Sequence, residues 1–384
     1  MKEENFILHD RWKDKKDRTR VVVMSVHWVK NKDGKWEQVY KELLWKKIKI
    51  RKSLDEVCHY LEMEIPFSER DKIDKHEKIE VRVYNPNISA EEDNFHCRLI
   101  TTVLVDCITE YYSAGKQSLN IIGRSPARDI IDSAWSDGPF DELTLEEIAK
   151  QIAKPFGIRI DRASIGSPAT ENIFRFSWSH ESPWTKLINE CDNQGFIFTS
   201  SEDGSLYLWK VASSTRHEGK DNEKFGKKTF FRLSARQGEA NNIREIEMVR
   251  DGSQQFYEYY VRGNFKESRI TDDDCKSKRM HHIHISDFWI NQVNIERRAL
   301  TEKCRRQGNK VIVTISGWGL TDDKLRGLGN TKGEEIFWNP NFLVPVDFPV
   351  LNYEKDLLIS AVEYNAGMDG MTCTITLTDR EVYL

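Results

Sequence analysis

Along most of this chain apolar and polar residues alternate with the two-residue period of half-buried strands, and only three stretches switch to a helical period. Leu44–Ile65 holds two alternating runs, with Trp45, Ile48 and Ile50 in the first and Val57, Tyr60, Leu61 and Met63 in the second. Strands are also predicted at Ile79–Tyr84, Cys97–Ile108 and Ser118–Ile122, and the polar connections include the turn-prone Asn85-Pro86-Asn87. Short strands at this spacing suggest a small barrel or sandwich.

The pattern changes after Gly123. In Leu143–Gly157 the residues Leu145, Ile148, Ala149, Ile152 and Ala153 share one helical face, Thr144 and Glu147 form a capping box, and Pro155 and Gly157 stop the helix. A second helix opens at Ser182 with Pro183 in its first position, turns Trp184, Leu187, Ile188 and Cys191 inward, and ends at Gly195. Phe196–Trp209 then reads as a hairpin around Asp203-Gly204, a dipeptide that supplies the positive φ a turn needs.

Val211–Lys228 is polar and reads as an exposed linker. Strands resume at Thr229–Leu233, Ile243–Val249 and Phe256–Gly263, followed by a charged surface loop over Asn264–Arg279. A third helix is expected over Ile295–Gln307, stopped by Gly308, and Val311–Trp318 reads as a buried strand. The remainder is β: Leu343–Val346, Leu357–Tyr364 and Met371–Leu377, with Asn365–Gly370 as a hairpin loop. The order β-rich, α+β, β-rich, helix and strand, then β again resembles an imperfect duplication without a residue-level repeat.

Composition narrows the function classes. With 384 residues, 39% hydrophobic, the chain has enough apolar material for more than one domain. It has no apolar run long enough to span a bilayer, and Met1–Arg20 lacks a signal-peptide core, so a soluble protein made in the cytoplasm is expected. Basic and acidic residues nearly balance, 58 against 62, which advertises neither a nucleic-acid nor a membrane surface. The seven cysteines, Cys58, Cys97, Cys107, Cys191, Cys275, Cys304 and Cys373, contain no CxxC pair and read as reduced, mostly buried thiols.

Candidate chemistry is sparse. His281, His282 and His284 are the most metal-like group, since His282 and His284 would share a strand face. No ligand at suitable spacing completes them, Asp287 being the nearest carboxylate, so a surface strand edge is the plainer reading. Glu91-Glu92-Asp93, Glu146-Glu147 and Asp272–Asp274 are adjacent in sequence, whereas an acid pair for hydrolysis must face across a cleft. GxSxG, HExxH and GxxxxGK[ST] are all missing. Gly123-Arg124-Ser125, with Asp129 and Asp132 beyond it, reads as a turn into a short helix. Among eleven tryptophans, Trp12, Trp28, Trp36 and Trp45 cluster near the N-terminus, where some could face a neighbouring subunit although core packing is the commoner fate of each. No catalytic, cofactor-binding or metal-binding residue is assigned.

Four segments in order, IIGRSPARDIIDSAW (Ile121–Trp135), LTLEEIAKQIAKPFGI (Leu143–Ile158), ESPWTKLINECDNQGFIFTSSEDGSLYLW (Glu181–Trp209) and GEEIFWNPNFLVPVDFPVLNYEKDLLISAVEYN (Gly333–Asn365), resemble the Mu-like phage tail hub family. That family is related to the hubs of larger contractile phages and to the N-terminal part of type VI secretion spikes. The closing DGMTCTITLTDREVYL is similar to the final strand these proteins share, and the resemblance runs from about Trp45 to Leu384.

The resemblance implies a non-enzymatic homotrimer with a β-rich α+β fold, in which two related β-barrel domains carry helix-containing insertions. It implies a trimeric ring that adapts a hexameric tail tube to a trimeric spike, in the tail baseplate of the virion. Its partners would be its own copies, the tube, the spike and other baseplate proteins, with no membrane binding and no sequence-specific nucleic acid. The expected divisions are a charged extension over 1–40, a first barrel over 41–135, an α+β domain over 136–225, the first part of a second barrel over 226–292, a helix-strand insertion over 293–340, and completing strands over 341–384. A tail-associated cell-wall hydrolase and a secretion-spike hub are the competing readings. The second is disfavoured because the sequence lacks the repetitive β-helix expected after Leu384.

Overall fold

The computed structural model describes residues 20–31, 34–84, 97–115, 117–134, 138–162, 170–178, 182–211, 233–235, 243–285, 290–320 and 336–383. Its first seven strands are β1 (Arg20–Lys30), β2 (Trp36–Leu43), β3 (Lys47–Ser53), β4 (Tyr60–Pro66), β5 (Lys78–Tyr84), β6 (Cys97–Tyr112) and β7 (Gln117–Arg124). A helical insertion follows: α1 (Arg128–Ile131), β8 (Phe140–Thr144), α2 (Leu145–Ala153), β9 (Ile160–Arg162), β10 (Asn172–Phe176), α3 (Pro183–Gln194), β11 (Ile197–Ser200) and β12 (Leu206–Trp209). After β13 (Leu233–Ser234) and β14 (Ile243–Arg250) comes a second insertion, β15 (Glu258–Arg262), β16 (Glu267–Thr271), β17 (Met280–His284) and α4 (Gln292–Arg306). The chain closes with β18 (Asn309–Ser316), β19 (Gly319–Leu320), β20 (Ile336–Phe337), β21 (Leu343–Phe348), β22 (Tyr353–Gly367) and β23 (Gly370–Thr378).

Thirteen strands form one sheet in the order β14-β18-β23-β22-β3-β4-β7-β6-β5-β1-β2, with β21 also on β22 and β13 on β21. Two sets of five follow the same path. In the first, β3-β4-β7-β6-β5 are neighbours in that order; in the second, β14-β18-β23-β22-β21 are. The match extends to single hydrogen bonds. Each long strand carries a register shift at the same place, around Asp106 in β6 and Ser360 in β22. His76 and Asn341, both at φ 65, donate from their backbone N–H to the carbonyls of Val105 and Ile359, at 2.9 Å in each case. The amides of Val105 and Ile359 return bonds to Glu77 and Phe342 at 2.9 and 2.8 Å. The β6–β7 and β22–β23 ladders match residue for residue in register, yet of their equivalent positions only Leu104/Leu358 and Ile121/Ile375 are identical. Backbone pairing has kept what the side chains have lost.

The expected pair of closed barrels is not what the strands make. Among the described residues neither set closes by hydrogen bonding, because β3, the edge strand of the first set, is taken up by β22 of the second. One apolar core runs through both sets, from Val21 to Leu377. The extension predicted over 1–40 is also corrected. Val21–Val26 is buried on both faces, held between β5 on one edge and β2 on the other, so the first unit begins no later than Arg20.

The helical insertion has its own core, in which Leu145, Ile148, Ile152, Trp184, Leu187 and Phe198 meet. The capping box is present: Thr144 N–H donates to Glu147 Oε2 at 2.9 Å and Glu147 N–H to Thr144 Oγ1 at 3.3 Å. Ser182 caps α3 through the Thr185 amide at 3.1 Å, and Gly195 ends it with φ 68. The Asp203-Gly204 turn is wider than a two-residue turn. It spans Ser201–Ser205, and Gly204, at φ 90, lies so close to Pro126 that a Cβ would sit 2.8 Å from its ring. Burial alone would raise the Asp203 carboxyl, but hydrogen bonds from Ser201 and Ser205 outweigh it and take the pKa to about 2.

The second insertion needs a boundary correction. The strand expected at Phe256–Gly263 is β15, which leaves the large sheet to pair with β16 and β17, while β18, assigned to the 293–340 insertion, belongs to the large sheet between β14 and β23. The stretch Asn264–Arg279, read as a loop, contains β16, because alternation in ESRIT was outweighed by its charge. This insertion therefore interrupts the second five-strand set between β14 and β18, at an earlier point than the expected 293–340. No helix among the described residues is long and apolar enough to cross a membrane.

Candidate assembly interface

The joint between the two strand sets is the most informative site in the molecule. β22 is long enough to pair β21 over Tyr353–Leu358 and then β3 over Ala361–Ala366, with β23 along its opposite edge. On the buried face of this joint Ile48, Ile50, Val362 and Tyr364 are fully enclosed. Antiparallel pairing at this register brings Ile50 opposite Tyr364 and Ile48 opposite Ala366, so each set supplies half of a common apolar seam.

One charge lies in the seam. Lys52, 3% exposed, donates from Nζ to Glu202 Oε1 at 3.2 Å and to Asn339 Oδ1 at 3.0 Å, and it sits 5.8 Å from the Tyr364 ring centroid. Its partners come from the helical insertion and from the segment that leads into β21, so a single side chain ties three parts of the fold together. Burial pulls the Lys52 pKa down, and the nearby Glu202 only partly restores it. Nearby, His59 Nδ1 lies 2.9 Å from Thr101 Oγ1, its amide donates to Ser125 Oγ at 3.2 Å, and Ser125 and Ser200 hydroxyls are 2.6 Å apart. These hydroxyls bond each other and the backbone, which is the chemistry of a structural junction.

Burial, reinforced by the charge of Lys52, holds the His59 pKa well below the usual 6.5. The folded protein thus keeps His59 neutral while the unfolded chain takes up a proton below that pH. Stability should consequently fall as pH drops from about 6.5 toward the folded-state value, by up to about 1.4 kcal/mol per pH unit. His59→Gln is expected to remove that component, measured by urea unfolding between pH 7 and 5; an unchanged slope in the variant would refute the assignment.

The candidates read from sequence are placed as follows. β17 is an edge strand on which His282 and His284 are exposed together, while His281 turns to the other face, 5.0 Å from the Phe256 ring centroid and 4.0 Å from Glu302. No group of three potential metal ligands occurs among the described residues. Glu147 serves the helix cap and Glu146 pairs with Lys150 at 2.6 Å. Asp272 is buried, accepting from Gln255 Nε2 at 2.8 Å and lying 3.7 Å from Lys303. Gly123-Arg124-Ser125 does turn into the short helix α1, with Arg124 bridging Asp106 and Asp132 at 2.8 and 2.6 Å. Of the described thiols, Cys58, Cys191, Cys275 and Cys373 are buried, Cys304 is half-buried and Cys107 is exposed. Trp45 is half-buried and donates to the Val21 carbonyl at 3.1 Å, whereas Trp28 and Trp36 are exposed near the tip of the β1–β2 hairpin. Trp12, Asn85-Pro86-Asn87, Glu91-Glu92-Asp93 and Asp287 lie outside the described residues.

Comparison with known proteins agrees with this architecture. Residues 127–210, the helical insertion, match the model of the second domain of gp44-like baseplate hub proteins. Over 310 residues the chain is 23% identical to the baseplate hub protein gp44 of Escherichia phage Mu, covering 75% of this chain and 74% of gp44. Its fold is similar to that of the 43 kDa tail protein of prophage MuSo2 from Shewanella oneidensis, with TM-score 0.69, 19% identity, and coverage of 95% of this chain and 99% of that one. A tail protein from Neisseria meningitidis MC58 gives the same TM-score at 15% identity, covering 95% of this chain and 98% of that one. In sequence the chain is similar to the baseplate hub protein gp44 of phage Mu, and in fold to tail proteins of Shewanella and Neisseria.

Proposed function

We propose that this chain is a structural subunit of the baseplate hub of a contractile phage-type tail, three copies of which form a ring between a hexameric tail tube and a trimeric spike. The observation that carries the reading is the duplicated strand path. Two similar five-strand sets in one polypeptide let a threefold object present six nearly equivalent contacts, which is what joining sixfold and threefold partners requires. The role is one of assembly and not of catalysis. The buried polar residues at the junction are engaged in holding parts of the fold together, and Glu147 and Glu146 are spent on a helix cap and a surface ion pair.

Native mass measurement or light scattering is the direct test. A species near three times the 45.0 kDa chain is expected. A chain that stays monomeric at high concentration contradicts the proposal, as does activity on purified peptidoglycan that vanishes when a facing carboxylate pair is neutralised.

A further inference from the structure

Among the described residues the internal joint has a counterpart that the single chain leaves open. In the first strand set the residues equivalent to Ile48, Ile50 and Lys52 of β3 are, through the matched ladders, Ile246, Met248 and Arg250 of β14 in the second. In the same way Val362, Tyr364 and Ala366 of β22 correspond to Ile108, Glu110 and Tyr112 of β6. β3 and β22 are joined to each other. Their counterparts β14 and β6 lie far apart along the strand path: β14 is its last strand, and the ladder between β5 and β6 ends at Leu104.

Burial separates the two cases. Ile48 and Ile50 are 0% exposed, whereas Ile246 and Met248 are half-buried; Ala366 is 3% exposed and its counterpart Tyr112 is 74% exposed. Apolar side chains in the positions of a sealed seam, but only partly covered, are the mark of a strand edge whose partner belongs to another molecule.

Resting on the trimeric-ring reading above, we infer that β14 of one copy adds to the outer half of β6 in the next copy, reproducing the β3–β22 joint between subunits. Transferring the internal register gives the pairs: Cys107 opposite Asp251, Ile108 opposite Arg250, Thr109 opposite Val249, Glu110 opposite Met248, and Tyr112 opposite Ile246. The inward face then buries Ile108, Tyr112, Ile246 and Met248 together. Arg250 falls diagonal to Glu110, a charge pair within cross-strand reach. The contact is head-to-tail, since each copy offers a β14 edge and receives one on β6, so repetition closes a ring in which joints within and between chains alternate.

The register makes the test specific. Cys107 is native and exposed, and Asp251 is exposed, so Asp251→Cys places two thiols directly across the proposed joint at a separation a disulfide can span. Under mild oxidation this variant is expected to run as a covalent trimer on a non-reducing gel, to collapse to monomer with reductant, and to lose the cross-link when Cys107→Ser is added. Arg250→Cys points to the opposite face and should cross-link poorly. Because Asp251 also accepts from the Ser253 amide at 2.8 Å, the pair Thr109→Cys with Val249→Cys provides a second probe on the same face. A wild-type trimer whose variants form no such cross-link, or form it equally from position 250, overturns the joint while leaving the trimer standing. A wild-type chain that is monomeric overturns both.

Discussion

Alanine in place of Ile50 is expected to cost about 2–5 kcal/mol of folding stability, the range for emptying a fully enclosed aliphatic position. Ile50 is 0% exposed and packs in the seam where the two strand sets meet, opposite Leu61 on one side and Tyr364 on the other. Neither neighbour can relax far, because each belongs to a strand paired on both edges. The informative comparison is Met248→Ala at the equivalent position of β14. In the unassembled chain Met248 is half-buried, and its loss should cost about 1 kcal/mol or less, in proportion to the smaller apolar area removed from contact. Urea unfolding of dilute protein measures both. Equal costs in the unassembled chain would mean that β14 is already sealed, which would remove the basis for strand addition between copies.

Asp106→Ala should be comparably damaging for an electrostatic reason. Asp106 sits at the register shift of β6 and accepts from Arg124 Nε at 2.8 Å and from Arg128 Nη1. Arg128 is 5% exposed and links the first strand set to the start of the helical insertion through the Leu104 carbonyl at 3.2 Å and His76 Nδ1 at 3.1 Å. Removing the carboxylate leaves a buried guanidinium with only the more exposed Asp129, at 3.3 Å, as counter-charge, a loss of about 3 kcal/mol at the lower end of the usual range, since Asp106 itself is partly open to solvent. The expected signature is non-additivity. Arg128→Met alone and the double variant should be less harmful than Asp106→Ala alone, because the orphaned charge is then gone. A double variant showing the full sum of both single losses would contradict this account.

Several local features could be read directly from the chain because each depends on residues close in sequence. Thr144 and Glu147 bond each other across one helical turn, Ser182 and Gly195 bracket α3, and Gly204 allows its loop conformation, whatever surrounds them. The alternating runs that became β3, β4, β22 and β23 were equally plain, as was the absence of a catalytic motif. The run VVVMSVHWV of β1 lies inside the segment 1–40, which its lysines and arginines mark only as a charged extension. Charge on the flanks says nothing about a strand buried on both faces, since such a strand shows no alternation to read.

The sequence by itself determined the kind and order of many of the elements and the caps of α2 and α3, because caps, periodicity and turn residues act over a few positions; the third helix starts three residues before the expected Ile295. It also suggested that a β-rich pattern occurs twice. Which strand lies beside which was decided only by the tertiary structure, since pairing partners such as Ile50 and Tyr364 are joined by backbone hydrogen bonds that leave little trace in side-chain identity. For the same reason the duplication persists in matched registers and in the φ of His76 and Asn341 while the residues themselves have diverged, and the open edges of β14 and β6 come into view only once their sealed counterparts are seen.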